Sequence, residues 1–476
     1  MMDIDDRATI AEKLLLLQQF GYRELHSTYP GAIPISRTQK SPNKDINLEM
    51  RLLDTFAVAL CTGKPGEVYA AAFDKRIRVQ LVIAKNGLPT PEDKEAAKEL
   101  VSLLADPSVT DQYDLFPFLH RRCLLNINKR IGTLNKSSRD TRIRDLFEQK
   151  LPSYTPTTPL GVELQFNNIL QRLYGGVDTN RPFTSVWIDL LDKLAELTAP
   201  GLDTQDVKLA DKQFADIIIF TTVISKSHFL KHVIAIPTLS DRDREMVAKF
   251  KRHCDKVQQY YAGITDLIKK AKRFLPFDVC WATDQPNGSG EGVFTLPSRD
   301  PYVTIGNYFE EHPIPRDILS QLDDKFPKLR QDWERQRTIH ATVHAELRII
   351  LALGPPSSSE PVRPIGVSKR SCLACALWIH EHNEIFETQW MTSGSHGKPY
   401  ANWAPPGLVH PYLKGRLSVD EVVLNGISKR LDHIFAKLFP NHRRRSDEYV
   451  FSSSEESSPE STAIFLDSVE NHPKRL

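Results

Sequence analysis

One histidine and two cysteines stand in a pattern that could hold a metal ion. His344 and Glu346 form an H-x-E motif, and Cys372 and Cys375 form a C-x-x-C motif after a Pro/Ser-rich loop and a short apolar segment. An imidazole and two thiolates are ligands that Zn²⁺ accepts, and three protein ligands leave the fourth tetrahedral position for water. The alternative is a helix histidine near two buried thiols. The joint spacing favours zinc on His344, Cys372 and Cys375.

Glu346 suits proton transfer better than metal binding. Side chains two residues apart do not share a helix face, so Glu346 should flank the metal instead of ligating it. A carboxylate there can take a proton from water and pass it to a substrate nitrogen. Cys372 and Cys375 should share one face of a helix capped by Ser371, whose exposed N–H groups favour thiolates.

These motifs resemble the H-x-E and P-C-x-x-C signature of the cytidine deaminase-like zinc deaminases. The surrounding segments HAELRI, IGVSKRSCLACALWI and GSHGKPYANWAPP are similar to a clade of deaminase-like proteins widespread in fungi. The resemblance covers about Val343 to Pro406, and Ser371 stands where the superfamily usually has Pro. It implies Zn²⁺-dependent hydrolytic deamination of a cytosine at C4 or an adenine at C6, with Glu346 relaying protons. The base could belong to a nucleoside, a nucleotide or a polynucleotide.

Three further residues are candidates for substrate contact. Asn86 ends a predicted strand, where related deaminases often place an Asn that contacts the sugar or base, but it also starts an Asn-Gly turn. The segment SGSHGKPYANW offers His396 and Trp403 for stacking or hydrogen bonds to a base. A purely structural turn is the alternative for that segment.

The predicted elements alternate between helices and strands around the motifs. An amphipathic helix begins near Asn47. A hairpin of strands at Glu67–Phe73 and Ile77–Ile83 follows. Three later helices are predicted at Thr338–Leu353, Ser371–Glu381 and Ser418–Leu438, the last with a capping box. Two strands are predicted between them, at Ile365–Val367 and Ile385–Met391.

The resemblance implies an α/β fold with a three-layer α/β/α core and a mixed sheet. We expect residues 1–89 to hold the first helices and hairpin of the core, 90–337 a large, mostly helical insertion, and 338–440 the zinc-binding part. Residues 441–476 have too little apolar content to pack and are predicted to be disordered. The competing interpretation takes Phe277–Leu296 as the core hairpin and everything before it as a separate domain. The cleaner alternation in Ile77–Ile83 favours the insertion.

Composition restricts the function classes. The chain has 476 residues with 40% hydrophobic and 26% charged residues, which is ordinary globular composition. Its net charge of +2 is low for a protein dedicated to binding duplex nucleic acid. A nucleic-acid partner would therefore bind only a local region of the surface. The acidic start and the absence of a long apolar stretch argue against export and a membrane span, and mostly isolated cysteines favour the cytoplasm or nucleus. A catalytically inactive, zinc-stabilised scaffold that binds protein partners through its helical region is the rival hypothesis.

Overall fold

The computed structural model divides the chain into two compact units. One comprises Met1–Ala57, Val68–Pro91 and Phe277–Leu476, and the other Val58–Glu67 and Glu92–Pro276. We call them the sheet unit and the helical unit. The described residues are 4–24, 39–164, 181–202, 206–271, 278–282, 290–309, 313–354, 362–407 and 419–442. Ser418 and most of the predicted tail at 441–476 lie outside them.

Seven strands and seventeen α-helices are described. The strands are β1 (Tyr69–Asp74), β2 (Gln80–Lys85), β3 (Asp278–Trp281), β4 (Gly292–Thr295), β5 (Thr338–Ala341), β6 (Arg363–Val367) and β7 (Trp390–Thr392). The helices are α1 (Ile4–Gln19), α2 (Lys44–Leu60), α3 (Pro91–Ala105), α4 (Phe116–Ser138), α5 (Thr141–Lys150), α6 (Leu160–Glu163), α7 (Phe183–Thr198), α8 (Val207–Lys226), α9 (His228–Ala235), α10 (Asp241–Gln258), α11 (Ile264–Ala271), α12 (Pro301–Gly306), α13 (Arg316–Lys325), α14 (Leu329–Arg335), α15 (Ala345–Leu353), α16 (Leu373–Phe386) and α17 (Val419–Leu438). Two 3₁₀ turns and one π turn lie at Gln112–Leu115, Leu151–Ser153 and Gln259–Gly263.

A five-stranded mixed sheet forms the centre of the sheet unit, in the order β3-β2-β1-β6-β7. β1 pairs antiparallel with both β2 and β6, whereas β2–β3 and β6–β7 are parallel pairs. The hairpin of β1 and β2 therefore lies in the same sheet as β6, as the sequence predicted. Tyr69 N also donates to Ser368 Oγ at 2.9 Å, just beyond the end of β6.

Both faces of the sheet are buried at β1, β2, β6 and β7, whereas the edge strand β3 is partly exposed. Ala70, Ala72, Val82 and Ala84 lie in one hydrophobic cluster with residues of α15 and α16. The alternating residues point the other way, and there Phe73 meets Phe56 of α2 with ring centroids 6.5 Å apart. Burial on both faces explains why β1 and β2 read as nearly continuous apolar runs. The α/β class predicted from the sequence is confirmed.

The two described strands of the segment Phe277–Leu296 pair with other strands and not with each other. β3 pairs with β2 at the edge of the main sheet, whereas β4 pairs antiparallel with β5 in a separate two-stranded sheet. Residues from 277 onward belong to the sheet unit, although the sequence assigned them to the insertion as far as 337. The division into functional domains stays a prediction.

Two elements near the motifs differ from the prediction. The expected helix Thr338–Leu353 is instead the strand β5 followed by the shorter helix α15. Its first residues are extended because they pair with β4, a tertiary interaction that outweighs helical periodicity. The expected strand Ile385–Met391 begins only at Trp390, because α16 continues to Phe386 before Glu387 ends it with a positive φ of 53°.

The helical unit has an aromatic core. Trp187 and Phe229 pack edge to face at 4.8 Å, and Phe147 contacts both rings and Phe250 at 5.8 to 5.9 Å. Among the described helices, none alone is long and apolar enough to cross a membrane, although the bent pair 208–226 and 228–235 meets the length and composition criteria together.

Gly366 tests how closely β6 packs against α2. A Cβ built on Gly366 would overlap the backbone of Leu53 and Asp54. Because two backbones cannot easily separate in a packed core, we expect Gly366→Ala to lower the free energy of unfolding by about 2 kcal/mol or more. Gly426→Ala in α17 is the control, since its Cβ would make only ordinary contacts, and it should be neutral or stabilising by up to about 1 kcal/mol. Equal effects of the two substitutions in urea unfolding would contradict this packing.

Candidate metal centre

Two helix N-termini bring the predicted ligands together. His344 is the N-cap residue of α15, with extended backbone at φ −70° and ψ 153°. Cys372, not Ser371 as the sequence suggested, is the N-cap residue of α16, and its Sγ accepts from Cys375 N at 3.4 Å. Ser371 instead forms a parallel bridge with Ser395. The positive ends of both helices therefore point toward the two sulfur atoms, which favours thiolates.

The three side chains have the spacing of ligands around one ion. His344 Nδ1 lies 3.5 Å from Cys372 Sγ and 3.3 Å from Cys375 Sγ. Tetrahedral Zn²⁺ with ordinary Zn–N and Zn–S bonds requires an N···S separation of about 3.6 Å. All three ligand atoms lie within 4.8 Å of one another and all three residues are buried. Within the described ranges, this is the one such group of His, Cys, Asp and Glu. The donor set and its geometry fit zinc.

Glu346 lies beside the ligands in the first turn of α15. Its side chain is buried and makes a hydrogen-bond contact with Cys375, and it stands outside the cluster of three ligand atoms. Burial raises the pKa of Glu346, although the charge of His344 partly opposes the shift. The carboxyl group thus lies next to the three candidate ligands.

The pKa values of the three candidate ligands shift in different directions. Burial opposes ionisation of Cys372, but the hydrogen bond from Cys375 and the charge of His344 outweigh it and hold the pKa of Cys372 well below its usual range. Burial and the neighbouring Cys372 raise the pKa of Cys375. Burial would lower the pKa of His344, but the charge of Cys372 raises it overall. Since zinc takes thiolates and a neutral imidazole, its binding must release protons.

Asn86 forms a hydrogen bond with the first residue of the helix that carries Glu346. Asn86 Oδ1 accepts from Ala345 N at 2.9 Å, and Asn86 N donates to Val68 O at 3.0 Å. The next residue, Gly87, has a positive φ of 78° and turns the chain after β2. Asn86 is therefore both a turn residue and a contact of the H-x-E segment. Its predicted contact with substrate stays a prediction.

His396 stands close to the cysteines in a fixed tautomer. Its Nδ1 accepts from Lys398 N at 3.1 Å, which leaves the ring proton on Nε2. Burial lowers the pKa of His396 to about 4, so the ring is neutral, and the charge of Cys372 acts on it. Tyr400 meets the ring edge to face at 5.6 Å, and burial together with Cys372 raises the pKa of Tyr400.

Trp403 is more deeply buried than His396. Its side chain is 1% exposed, and it forms a parallel bridge with Thr342, two residues before His344. Among the described residues, no hydrogen-bond partner is found for its indole Nε1. The structure thus places Trp403 beside the strand that leads to the metal ligand, and its role in binding substrate stays a prediction.

Sequence reasoning missed a buried ion pair that holds the segment before His344. Glu291 accepts from Val343 N at 2.7 Å and pairs with the guanidinium group of Arg348. Arg348 Nε also donates to Val343 O at 3.2 Å, so that one salt bridge fixes both backbone groups of Val343. The signal in the sequence was an arginine in the otherwise apolar stretch LRIILAL of α15. Its partner could not be identified from the sequence.

Comparison with known proteins points to the same segment. Residues 343–407 match the OTT_1508-like deaminase family model. No curated protein and no solved structure matches the chain. The match contains His344, Glu346 and both cysteines, and it indicates a deaminase in general.

We expect about one zinc ion per purified chain, and Cys372→Ser or Cys375→Ser should lose it, since each thiolate supplies a metal bond. Cys280→Ser is the control, because Cys280 is an exposed thiol on β3 of the same unit. Zinc content measured by mass spectrometry after dialysis checks this. Undiminished zinc in both ligand variants would refute the assignment.

Asn86 should affect zinc affinity without being a ligand. Asn86→Ala removes the acceptor for Ala345 N, and loss of such a supporting hydrogen bond typically weakens metal binding by about tenfold. Asn86→Asp keeps an acceptor and adds a charge that a helix N-terminus favours, so it should bind zinc nearly as the wild type does. Competition with a chromophoric chelator measures both affinities. Identical affinities of Asn86→Ala and wild type would show that the contact is dispensable.

Proposed function

We propose that the protein is a zinc-dependent hydrolytic deaminase that acts on a cytosine- or adenine-type base in a nucleoside, nucleotide or nucleic acid. The observation that carries the proposal is the convergence of His344, Cys372 and Cys375 beside the buried carboxyl group of Glu346. The deaminase family match over the same residues supports it. The mixed sheet between helices is compatible with the cytidine deaminase-like core that the signature implies.

In the proposed hydrolysis, the metal ion and Glu346 have different roles. Bound Zn²⁺ supplies a nucleophile at neutral pH by lowering the pKa of a water molecule to about 7. Glu346 would take one proton of the attacking water and pass it to the ring nitrogen, and it would then take the second from the hydroxyl group on the base carbon and pass it to the amino group, which leaves as ammonia. The oxygen of water ends as the carbonyl oxygen, and the C–N bond breaks. The raised pKa of Glu346 moves this carboxyl toward the range in which it can both accept and release a proton.

In this proposal, the loop residues His396 and Trp403 would hold the base. The neutral ring of His396 presents its Nε2–H as a donor, and Tyr400 stands against its edge. Trp403 forms a parallel bridge with Thr342, two residues before His344, which brings its indole ring to the segment that carries this candidate ligand. Its unpaired indole N–H would then be a second donor for the substrate.

Burial of Glu346 favours an enzyme over a zinc-stabilised scaffold. Taking an ionisable carboxyl out of water costs free energy, and a purely structural site gains nothing from a carboxyl that does not ligate its metal. A catalytic site needs this group, because the proton released on attack must reach the leaving nitrogen. The carboxyl beside the ligands therefore argues for turnover.

Glu346→Gln tests the proposed chemistry. Ammonia release should be measured against nucleosides, nucleotides and single-stranded oligonucleotides carrying cytosine or adenine. Wild type should release ammonia from at least one of them, and Glu346→Gln should reduce the rate by about 10²-fold or more while it keeps zinc and the melting temperature. Glu384→Gln, an exposed glutamate on α16, is the control and should stay active. Full activity of Glu346→Gln would remove the proton-transfer role, and no release from any substrate would contradict the proposed function.

A further inference from the structure

The end of β6 is the point where the chain leaves the main sheet for the C-x-x-C motif. Ser368 N donates to Tyr69 O at 2.9 Å, on the side of β1. Because successive N–H groups of a strand point to opposite edges, Val367 N points to the side of β7. β7 has already ended there, since its last residue, Thr392, is paired with Ile365. Val367 N therefore needs an acceptor other than a neighbouring strand.

The side chain of Asp54 on α2 is this acceptor. Val367 N donates to Asp54 Oδ1 at 2.7 Å. α2 comes this close to β6 because residue 366 is glycine, and a Cβ on Gly366 would overlap the backbone of Leu53 and Asp54. The close packing of α2 on β6 thus places one carboxyl group at the edge where β6 extends beyond β7.

The same carboxyl group also contacts the loop that carries His396. The hydroxyl group of Ser393, the first residue after β7, forms a hydrogen bond with Asp54. Beyond this point the two loops run side by side, since Ser371 N donates to Gly394 O at 3.2 Å and His396 N donates to Ser371 O at 3.1 Å. Asp54 therefore joins the two loops where their pairing begins.

The charge of Asp54 is costly to the fold. Burial raises the pKa of Asp54 to about 7, and the hydrogen bonds from Val367 and Ser393 and the charge of Arg370 only partly oppose this shift. These groups come from β6, from the loop after β7 and from the turn before the C-x-x-C motif. An acid whose pKa is higher in the folded than in the unfolded chain makes the fold less stable as the pH rises toward that value. An uncharged amide would avoid this cost and still accept from Val367 N.

We propose that Asp54 is a positioning residue of the candidate metal centre, whose carboxylate holds the turn before Cys372 and the loop of His396 in one arrangement. The proposal rests on the zinc-dependent function proposed above and adds a group that acts through its neighbours. The charge matters because Arg370, which it attracts, stands two residues before Cys372. Zinc affinity should therefore depend on the ionised form of Asp54.

Zinc affinity at two pH values tests the proposal. Asp54→Asn keeps the shape of the side chain and an acceptor but removes the charge. Competition with a chromophoric chelator at about pH 8 should show about tenfold weaker zinc binding than in the wild type, the usual effect of losing a group that supports a ligand. At about pH 6 the difference should become small, because Asp54 of the wild type is then mostly protonated. The three ligands are present in both proteins, so the comparison isolates Asp54.

Further variants connect the effect to the charge. Arg370→Gln should weaken zinc binding at about pH 8 as Asp54→Asn does, and Arg370→Lys should keep it. The double variant Asp54→Asn with Arg370→Gln should be little weaker than either single variant, because the two residues act as a pair. Ser393→Ala, which leaves the charge in place, should have a smaller effect. Asp45→Asn, an exposed carboxyl on the same helix, is the control and should bind zinc as the wild type does at both pH values.

The melting temperature separates positioning from general support of the fold. Because Asp54→Asn removes a charge that burial disfavours, its melting temperature at about pH 8, with zinc in excess, should equal or exceed that of the wild type. A weaker zinc affinity that comes with a lower melting temperature would overturn the proposal, since it would reflect loss of the fold.

Equal zinc affinities of Asp54→Asn and the wild type at about pH 8 would also overturn the proposal, as would a difference that is the same at both pH values. Failure of the deaminase function has a different signature. In that case no substrate releases ammonia, while the dependence of zinc affinity on Asp54 and on pH persists.

Discussion

The N-terminal ends of α15 and α16 approach so closely that His344 Nδ1 lies within 3.5 Å of both cysteine sulfurs. Two thiols and an imidazole in a buried space are costly without an ion to organise them. A cation held by these three side chains would remove this cost, with Glu346 beside it. The surrounding structure is best understood as the framework that makes these two helices meet.

That framework is built from long-range contacts. The pairing of β1 with β6 joins the hairpin to the segment that leads into Cys372, and Asn86 at the end of β2 holds the first N–H group of α15. The ion pair of Glu291 and Arg348 fixes the residue before His344. Each contact comes from a different part of the chain. The candidate metal site therefore depends on several separate segments of the sheet unit, and the His396 loop is joined in the same way to Glu24, which pairs with Arg430.

The sequence predicted the site better than its surroundings. Motif spacing singled out His344, Cys372 and Cys375, which the structure brings together, and Glu346, which lies beside them, because ligand chemistry restricts both residue type and order. The apolar stretches identified the hairpin, although its second strand begins at Gln80 and the predicted first residue, Ile77, is 99% exposed. Helical periodicity failed at Thr338–Ala341, where apolar residues spaced as in a helix are extended because they pair with β4. Sequence reasoning also missed Glu291 with Arg348, since nothing local marks two residues 57 apart as partners. Such tertiary pairings have no signature in a single sequence.

The most direct test of the central claim is a crystal structure with anomalous diffraction data on both sides of the zinc absorption edge. The account predicts one zinc peak per chain, bonded to His344 Nδ1 and to the sulfurs of Cys372 and Cys375, with a fourth ligand that is not a protein atom. Glu346 should lie next to that fourth ligand and should not bind the metal. A zinc ion closed off by a fourth protein ligand, or no zinc between these side chains, would contradict an open catalytic centre.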